Sequence, residues 1–261
     1  MTMATETQIS RIVTEVLRSV ARISLHNAPL NVIDLQMMDE LAQAVSDIEG
    51  RSEISTIGIS GHGSSFSAGV DVAAHTPDKV EAMLSKFHGV IRALVNTKKV
   101  TIAAVNGHCL GGGAELAMVC DLVYTTEDAQ WGFPEIKLGC YPPVAVTALA
   151  SLIGQKHAAD LILTGRTISG SEAASIGLAN RAVPKDQLDG VVEDVLKQVS
   201  KLSSATLATT KKAIYAWDCM HFDKGLARAE KIYLDELMKT EDAREGINAF
   251  LEKREPQWKC K

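Results

Sequence analysis

Two stretches of this chain share one layout, and that layout constrains the fold more than any other feature of the sequence. TIGISGHGSSFSAGVD, residues 56–71, and TIAAVNGHCLGGGAELAMVCD, residues 101–121, each run from a short apolar strand into a glycine-punctuated loop. In α/β sheets, loops beyond the carboxyl ends of strands are where ligands bind. Glycine there lets peptide N–H groups come close to a ligand. Glycine after a strand is also the ordinary material of tight turns, so the layout alone admits both readings. Nucleotide-binding versions fail: Gly61-x-Gly63 is followed by Phe66 where a dinucleotide fingerprint needs glycine, and no GK[ST] closes a P-loop. A GxSxG elbow for a serine nucleophile is missing too.

Alternating apolar and polar residues predict two paired strands over 11–17 and 19–25. A proline-bearing connection over 27–30 follows. Asp34 then stands where a helix cap belongs, ahead of Leu35, Met38, Leu41, Ala42 and Val45 on one helical face. Next come a strand over 55–60, a helix over 78–95, a strand over 100–105, a short helix over 114–119 and a strand over 122–124. From residue 143 onward strand signals are scarce. Helices are expected over 144–153, 157–163, 171–176, 184–201, 206–216 and 223–239. Strands joined by helices predict an α/β core, set here at residues 1–200, with a helical C-terminal region over 201–261. Neither an internal repeat nor a low-complexity linker interrupts the chain.

The net charge is −5 and the basic residues are scattered. That argues against nucleic acid as a partner, since phosphate binding needs a concentrated cationic surface. The stretch MTMATETQIS has neither the apolar core of a secretory signal nor the arginine cluster of a transit peptide. The most apolar runs are too short to cross a bilayer, so no membrane partner is expected and a cytoplasmic location is. Five cysteines (Cys109, Cys120, Cys140, Cys219, Cys260) show no CxxC spacing, and seven histidines show no HxxxH or HExxH pattern. Neither disulfides nor a metal site is therefore expected. Cys109 and Cys120 sit in apolar stretches and read as small core residues.

Glu115 follows Gly112 by three residues, which places it in the first turn of a helix that starts near the glycines. The Gly112 N–H can point outward there with the helix dipole behind it. The N–H of Val70, after Gly69, can face the same point, and two converging N–H groups stabilise negative charge on a carbonyl oxygen. Glu135 lies in GFPEIKLG, an otherwise apolar stretch. A surface position is the default for any single glutamate, but a carboxylate buried between Pro134 and Ile136 needs a purpose or a partner.

The segments FSAGVD, AAVNGHCLGGGAELAMVCD and FPEIKLG resemble those of the enoyl-CoA hydratase/isomerase (crotonase) family. The likeness continues through residues 161–184, LILTGRTISGSEAASIGLANRAVP, and residues 241–258, EDAREGINAFLEKREPQW. It implies a spiral of ββα units with a helical C-terminal region that forms trimers, two of which stack into a hexamer. It also implies that Val70 and Gly112 supply the oxyanion-hole N–H groups. Ala68, in the loop running to Asp71, would line the adenine end of the CoA site, and Phe250 and Lys253 would contact the nucleotide end. By itself Lys253 reads equally as a solvated helix lysine. Glu115 and Glu135 match the two acidic positions that hydratases of this family use together. One removes a proton from water and the other, protonated, delivers one to carbon. Coenzyme A would be part of the substrate, and no separate cofactor is implied.

One segment departs from the pattern. After Gly139 the family runs through a proline into a glycine-rich turn, whereas this chain reads Cys140-Tyr141-Pro142-Pro143-Val144-Ala145. Pro143 falls where a simple hydratase has a glycine whose N–H helps to hold the attacking water, and proline has no N–H. Tyr141 and Pro143 make the loop bulkier and stiffer, which implies an acyl group other than a straight chain. APLNVIDLQMMDEL and LGCYPPVA resemble the subgroup that hydrates cyclohexa-1,5-diene-1-carbonyl-CoA in anaerobic degradation of aromatic acids. The alternatives are a general enoyl-CoA hydratase or isomerase of fatty-acid or amino-acid breakdown, and a non-catalytic protein of the same fold that binds RNA or a partner. The acidic balance and the presence of both glutamates weigh against the last.

Overall fold

The computed structural model describes residues 9–215 and 219–259. Residues 1–8, Ala216 and Cys260 lie outside the described residues, and with them most of the N-terminal stretch and the last residue of one expected helix.

The first hairpin forms as the alternation predicts. Strands β1 (Ile12–Leu17) and β2 (Val20–Leu25) run antiparallel, with Ile12 opposite Leu25 and Leu17 opposite Val20. Helix α1 (Leu35–Glu49) begins at Asp34, whose carboxylate accepts from the Met37 N–H at 2.8 Å. Strand β3 (Thr56–Gly61), helix α2 (Val80–Asn96) and strand β4 (Val100–Val105) follow, then the short strand β5 (His108–Leu110) and helix α3 (Gly112–Met118). Strands β6 (Leu122–Thr126) and β7 (Gln130–Gly132) lead to helices α4 (Pro143–Ile153) and α5 (Gln155–Thr164). Strand β8 (Thr167–Ser169), helix α6 (Gly170–Ser175), strand β9 (Arg181–Val183) and helix α7 (Leu188–Ser200) come next. Helices α8 (Ser204–Tyr215), α9 (Cys219–Asp235) and α10 (Glu241–Leu251) end the chain.

Six strands form one sheet in the order β1-β2-β3-β4-β6-β9, parallel except for the first pair. A second, small sheet has the order β5-β7-β8. Successive turns of the chain place one strand in the large sheet and a short partner in or beside the small one. Thus β4 is followed by β5, β6 by β7, and β3 by a single bridge between Ser67 and Cys109. This is the α/β architecture implied by the resemblance. Alternation along β4 divides the core: Ala103 and Val105 face the main cluster, while Ile102 and Ala104 face Leu188, Val192 and Leu196 of α7.

The region after residue 143 holds two short strands that the scarce strand signals there do not mark. β8 and β9 are three residues each, too short for alternation to register, and are recruited by pairing with β7 and β6. The helix expected over 184–201 starts only at Leu188, after a 3-10 turn at Lys185–Gln187. No helix among the described residues is long and apolar enough to cross a membrane.

The two glycine loops pair with each other. Phe66 N–H donates to Asn106 O, Ser67 N–H to His108 O, and Leu110 N–H to Ser67 O, at 2.7 to 3.0 Å. This pairing brings the carboxyl ends of β3 and β4 to one place.

Candidate active site

Where the loops meet, α3 starts at Gly112. The N–H of a first helical residue has no acceptor one turn back. Val70 lies beside it: a Cβ on Gly112 would sit 2.6 Å from Val70 Cγ2 and 3.4 Å from Val70 N, so glycine is required for this approach. Val70 is held by its neighbours, since Ile33 N–H donates to Gly69 O and Asp71 N–H donates to Ile33 O. The Val70 N–H therefore faces away from Ile33, and the two free N–H groups sit side by side.

Glu115, in the first turn of α3, is 3 % exposed. Its Oε1 accepts from the N–H groups of Val144 and Ala145 at 2.8 and 2.9 Å. These are the second and third residues of α4, so a carboxylate from another helix takes the place of a cap. Pro143, the first residue of α4, occupies a position whose N–H would be unpaired anyway, and proline is suited to it. The departure Cys140-Tyr141-Pro142-Pro143 thus opens a helix whose end fixes Glu115.

Glu135 reaches the same place from the 3-10 turn Pro134–Leu138, which leaves Ile136 and Lys137 exposed and turns the carboxylate inward. Its Oε1 passes so close to Gly111 that a Cβ there would be 2.6 Å away, and Gly111 holds a left-handed φ of 51°. Its Oε2 is buried without a hydrogen-bond partner. Burial pushes both carboxyls above the usual carboxylate range. In Glu115 the two N–H bonds oppose that rise, whereas in Glu135 the charge of Glu115 adds to it. The pair therefore favours one ionised carboxylate, on Glu115, and one protonated carboxyl, on Glu135.

Both side chains line a cavity of about 70 Å³ together with Ala68, Val70, Gly112, Tyr141 and Pro143. Seven residues singled out from the sequence thus converge. Asp71 does not line the cavity; its side chain accepts from Ala73 N–H and caps the 3-10 turn Val72–His75. Phe250, near the end of α10, and Lys253, just past it, are exposed and do not line this cavity. A larger groove of about 550 Å³ opens between α4 and α9, but its charged lining is only Asp121 and Arg228. The paired carboxyls, not the volume, mark the site.

Two lining residues with unpartnered polar atoms are not marked by the sequence. His88 on α2 is fully buried; its Nδ1 lies 2.6 Å from Glu230 Oε1 on α9, and its Nε2 is unpartnered. Tyr233, also on α9, is 1 % exposed, with an unpartnered hydroxyl. The available signal was a histidine on the same helical face as Met83, Leu84 and Phe87. Among the described residues no cluster of three or more His, Cys, Asp or Glu is arranged to hold a metal ion.

Paired buried carboxyls beside two N–H groups are an arrangement able to support acid–base chemistry next to a carbonyl whose oxygen becomes negative. The family described as Enoyl-CoA hydratase/isomerase matches residues 15–261, and the chain belongs to it. A cyclohexa-1,5-dienecarbonyl-CoA hydratase of Thauera aromatica is 32% identical over 240 residues, 92% of this chain and 93% of that protein. A probable enoyl-CoA hydratase of Bacillus subtilis is 35% identical over 248 residues, 92% and 95% of the two chains. Among solved structures, an enoyl-CoA hydratase/isomerase from Xanthobacter autotrophicus Py2 superposes with a TM-score of 0.85 at 30% identity, covering 95% of this chain and 98% of that one.

Proposed function

We propose that this chain is a hydro-lyase that adds water across the conjugated double bond of an unsaturated acyl-CoA thioester, and that the acyl group is the compact ring of cyclohexa-1,5-diene-1-carbonyl-CoA. The observation that carries the reaction type is the buried Glu115–Glu135 pair beside the Val70 and Gly112 N–H groups. Glu115, favoured as the carboxylate by Val144 and Ala145, takes a proton from water as the water oxygen bonds to the unsaturated carbon. The π electrons move onto the thioester oxygen, where the Val70 and Gly112 N–H groups hold the enolate, extended into a dienolate for the ring substrate. Glu135 then gives its proton to carbon and the thioester is restored. Glu115 has gained the proton that Glu135 lost, and exchange with solvent resets the pair.

The ring substrate is supported by the relative named above. Tyr141, Pro143 and Tyr233 line the cavity where the acyl group would sit, and the Thauera aromatica relative carries that activity in its name. In the further reading, Ala68, Phe250 and Lys253 contact coenzyme A, and the chains assemble as a trimer or a pair of trimers. Leu163 and Ile214 offer exposed apolar surface for such an assembly. Hydration of cyclohexa-1,5-diene-1-carbonyl-CoA and crotonyl-CoA measured in parallel tests the substrate. We expect the higher kcat/KM with the diene; a clear preference for crotonyl-CoA removes the ring and leaves a general enoyl-CoA hydratase.

A further inference from the structure

Buried polar atoms without partners are rare, and each asks what satisfies it. Five side-chain atoms of this kind occur among the described residues, and three of them, Glu135 Oε2, Tyr233 Oη and His88 Nε2, belong to residues lining the one small cavity. Tyr233 and Glu135 are near neighbours in it. Burial, then the Cys140 thiol, then the charge of Glu135 hold the Tyr233 phenol well above its usual ionisation range, so it stays a neutral O–H donor. The neighbouring Cys140 thiol, which donates to Leu138 O at 3.6 Å, offers that donor only a weak sulfur acceptor.

The ring is also fixed in place. It meets Tyr141 edge-on with centroids 5.2 Å apart. One turn back along α9, Ala229 O accepts from the Tyr141 hydroxyl at 2.6 Å, and Glu230 holds His88. A buried hydroxyl held this firmly, with no oxygen or nitrogen acceptor of its own, is set to donate to something that enters the cavity. Meanwhile Pro143 cannot offer an N–H, and the N–H groups that follow it are spent on Glu115.

We propose that the Tyr233 hydroxyl holds the attacking water between Glu115 and Glu135, supplying from α9 the donor that Pro143 removes from the start of α4. The water oxygen accepts from Tyr233 through one lone pair and bonds to carbon through the other. One of its protons goes to Glu115 and the second stays on oxygen as the product hydroxyl. Tyr233 keeps its own proton throughout.

This inference rests on the hydratase reading, and the test separates the two. Wild type is assayed first with the dienoyl-CoA and crotonyl-CoA. Failure to hydrate either one overturns the hydratase reading and the water seat with it. With an active wild type, Tyr233→Phe is expected to lower kcat at least about tenfold while KM moves less than about twofold, because a misplaced reactant is felt in the chemical step rather than in thioester binding. Adding Pro143→Gly to Tyr233→Phe restores an N–H and should recover part of the lost kcat. An undiminished kcat in Tyr233→Phe overturns the water seat and leaves the hydratase intact. Should the variant not fold, a crystal structure of the wild type with a saturated acyl-CoA decides the matter. A water within hydrogen-bond distance of both Tyr233 Oη and Glu115 supports the proposal, and a hydroxyl bonded elsewhere overturns it.

Discussion

The two ends of β4 both bury charge, and they treat it in opposite ways. At its start, Asp121 Oδ2 accepts from Thr101 N–H at 2.7 Å, Thr101 Oγ1 at 3.0 Å and Lys211 Nζ at 2.7 Å. Lys211 also donates to Lys99 O at 2.9 Å, and the Asp121 N–H donates to Thr101 Oγ1. There each charged group has been matched by the fold itself. Past the other end of β4, across the loop to α3, Glu135 Oε2, Tyr233 Oη and His88 Nε2 are buried without a hydrogen-bond partner in residues that line the cavity. Burial of a polar group is therefore not the mark of function in this protein. What distinguishes the site is polarity that the fold has left unmatched, at a cost in stability that only a substrate or water can offset.

The sharpest way to break this contrast is at the matched end. Asp121→Ala strands Lys211 and the Thr101 N–H, and we expect about 3 kcal/mol less stability by urea denaturation. Turnover per folded molecule should stay at the wild-type level. A specific loss of turnover in a well-folded Asp121→Ala protein would mean that the two ends are not separate in function.

At the unmatched end the order reverses. Glu115→Gln and Glu135→Gln are each expected to cut turnover at least about a hundredfold, as removal of an acid–base group does. Steady-state loss of the conjugated thioester absorbance reads this directly. Either variant with near-full activity takes its residue out of the mechanism.

The smallest effect is the most telling about cost. The Glu135 carboxyl titrates above its unfolded value, mainly through burial and then through the charge of Glu115. Between those two values the folded chain holds the proton more tightly than the unfolded one, so the Glu135 contribution to stability is lost as pH rises. Gln carries no such charge. Glu135→Gln should melt near the wild type at about pH 5 and be the more stable by about pH 9, by at least about 1 kcal/mol. If the variant is less stable than wild type across that range, the carboxyl is held by partners, and the contrast with Asp121 fails.

Much of this was legible beforehand because it is local. β4 occupies the residues its apolar run marks, Asp34 caps α1 as its position suggests, and Glu115 sits in the first turn of α3 because it is the third residue after Gly112. The three-residue strands β5, β7, β8 and β9 were not legible, since pairing in space defines them and three residues carry no period. Tyr233 and His88 were missed for a related reason. Nothing near Tyr233 in the chain ties it to Glu135, and only the packing of α9 against α2 and α4 brings the two together. Pro143 was read as a lost donor; the chain alone did not reveal that the next two N–H groups would seize Glu115.

The reach of α9 back to Tyr141 and His88 also sets when, in the life of each molecule, the site comes into being. A growing chain that has emerged only through α7 already holds both glutamates and both N–H donors. It still lacks the helix that accepts from Tyr141 through Ala229, anchors His88 through Glu230 and walls the cavity with Tyr233. Catalytic competence therefore arrives late in synthesis, after most of the sheet has been made. A nascent chain stalled before α9 would carry the chemical groups of a hydratase without the enclosure that makes them one.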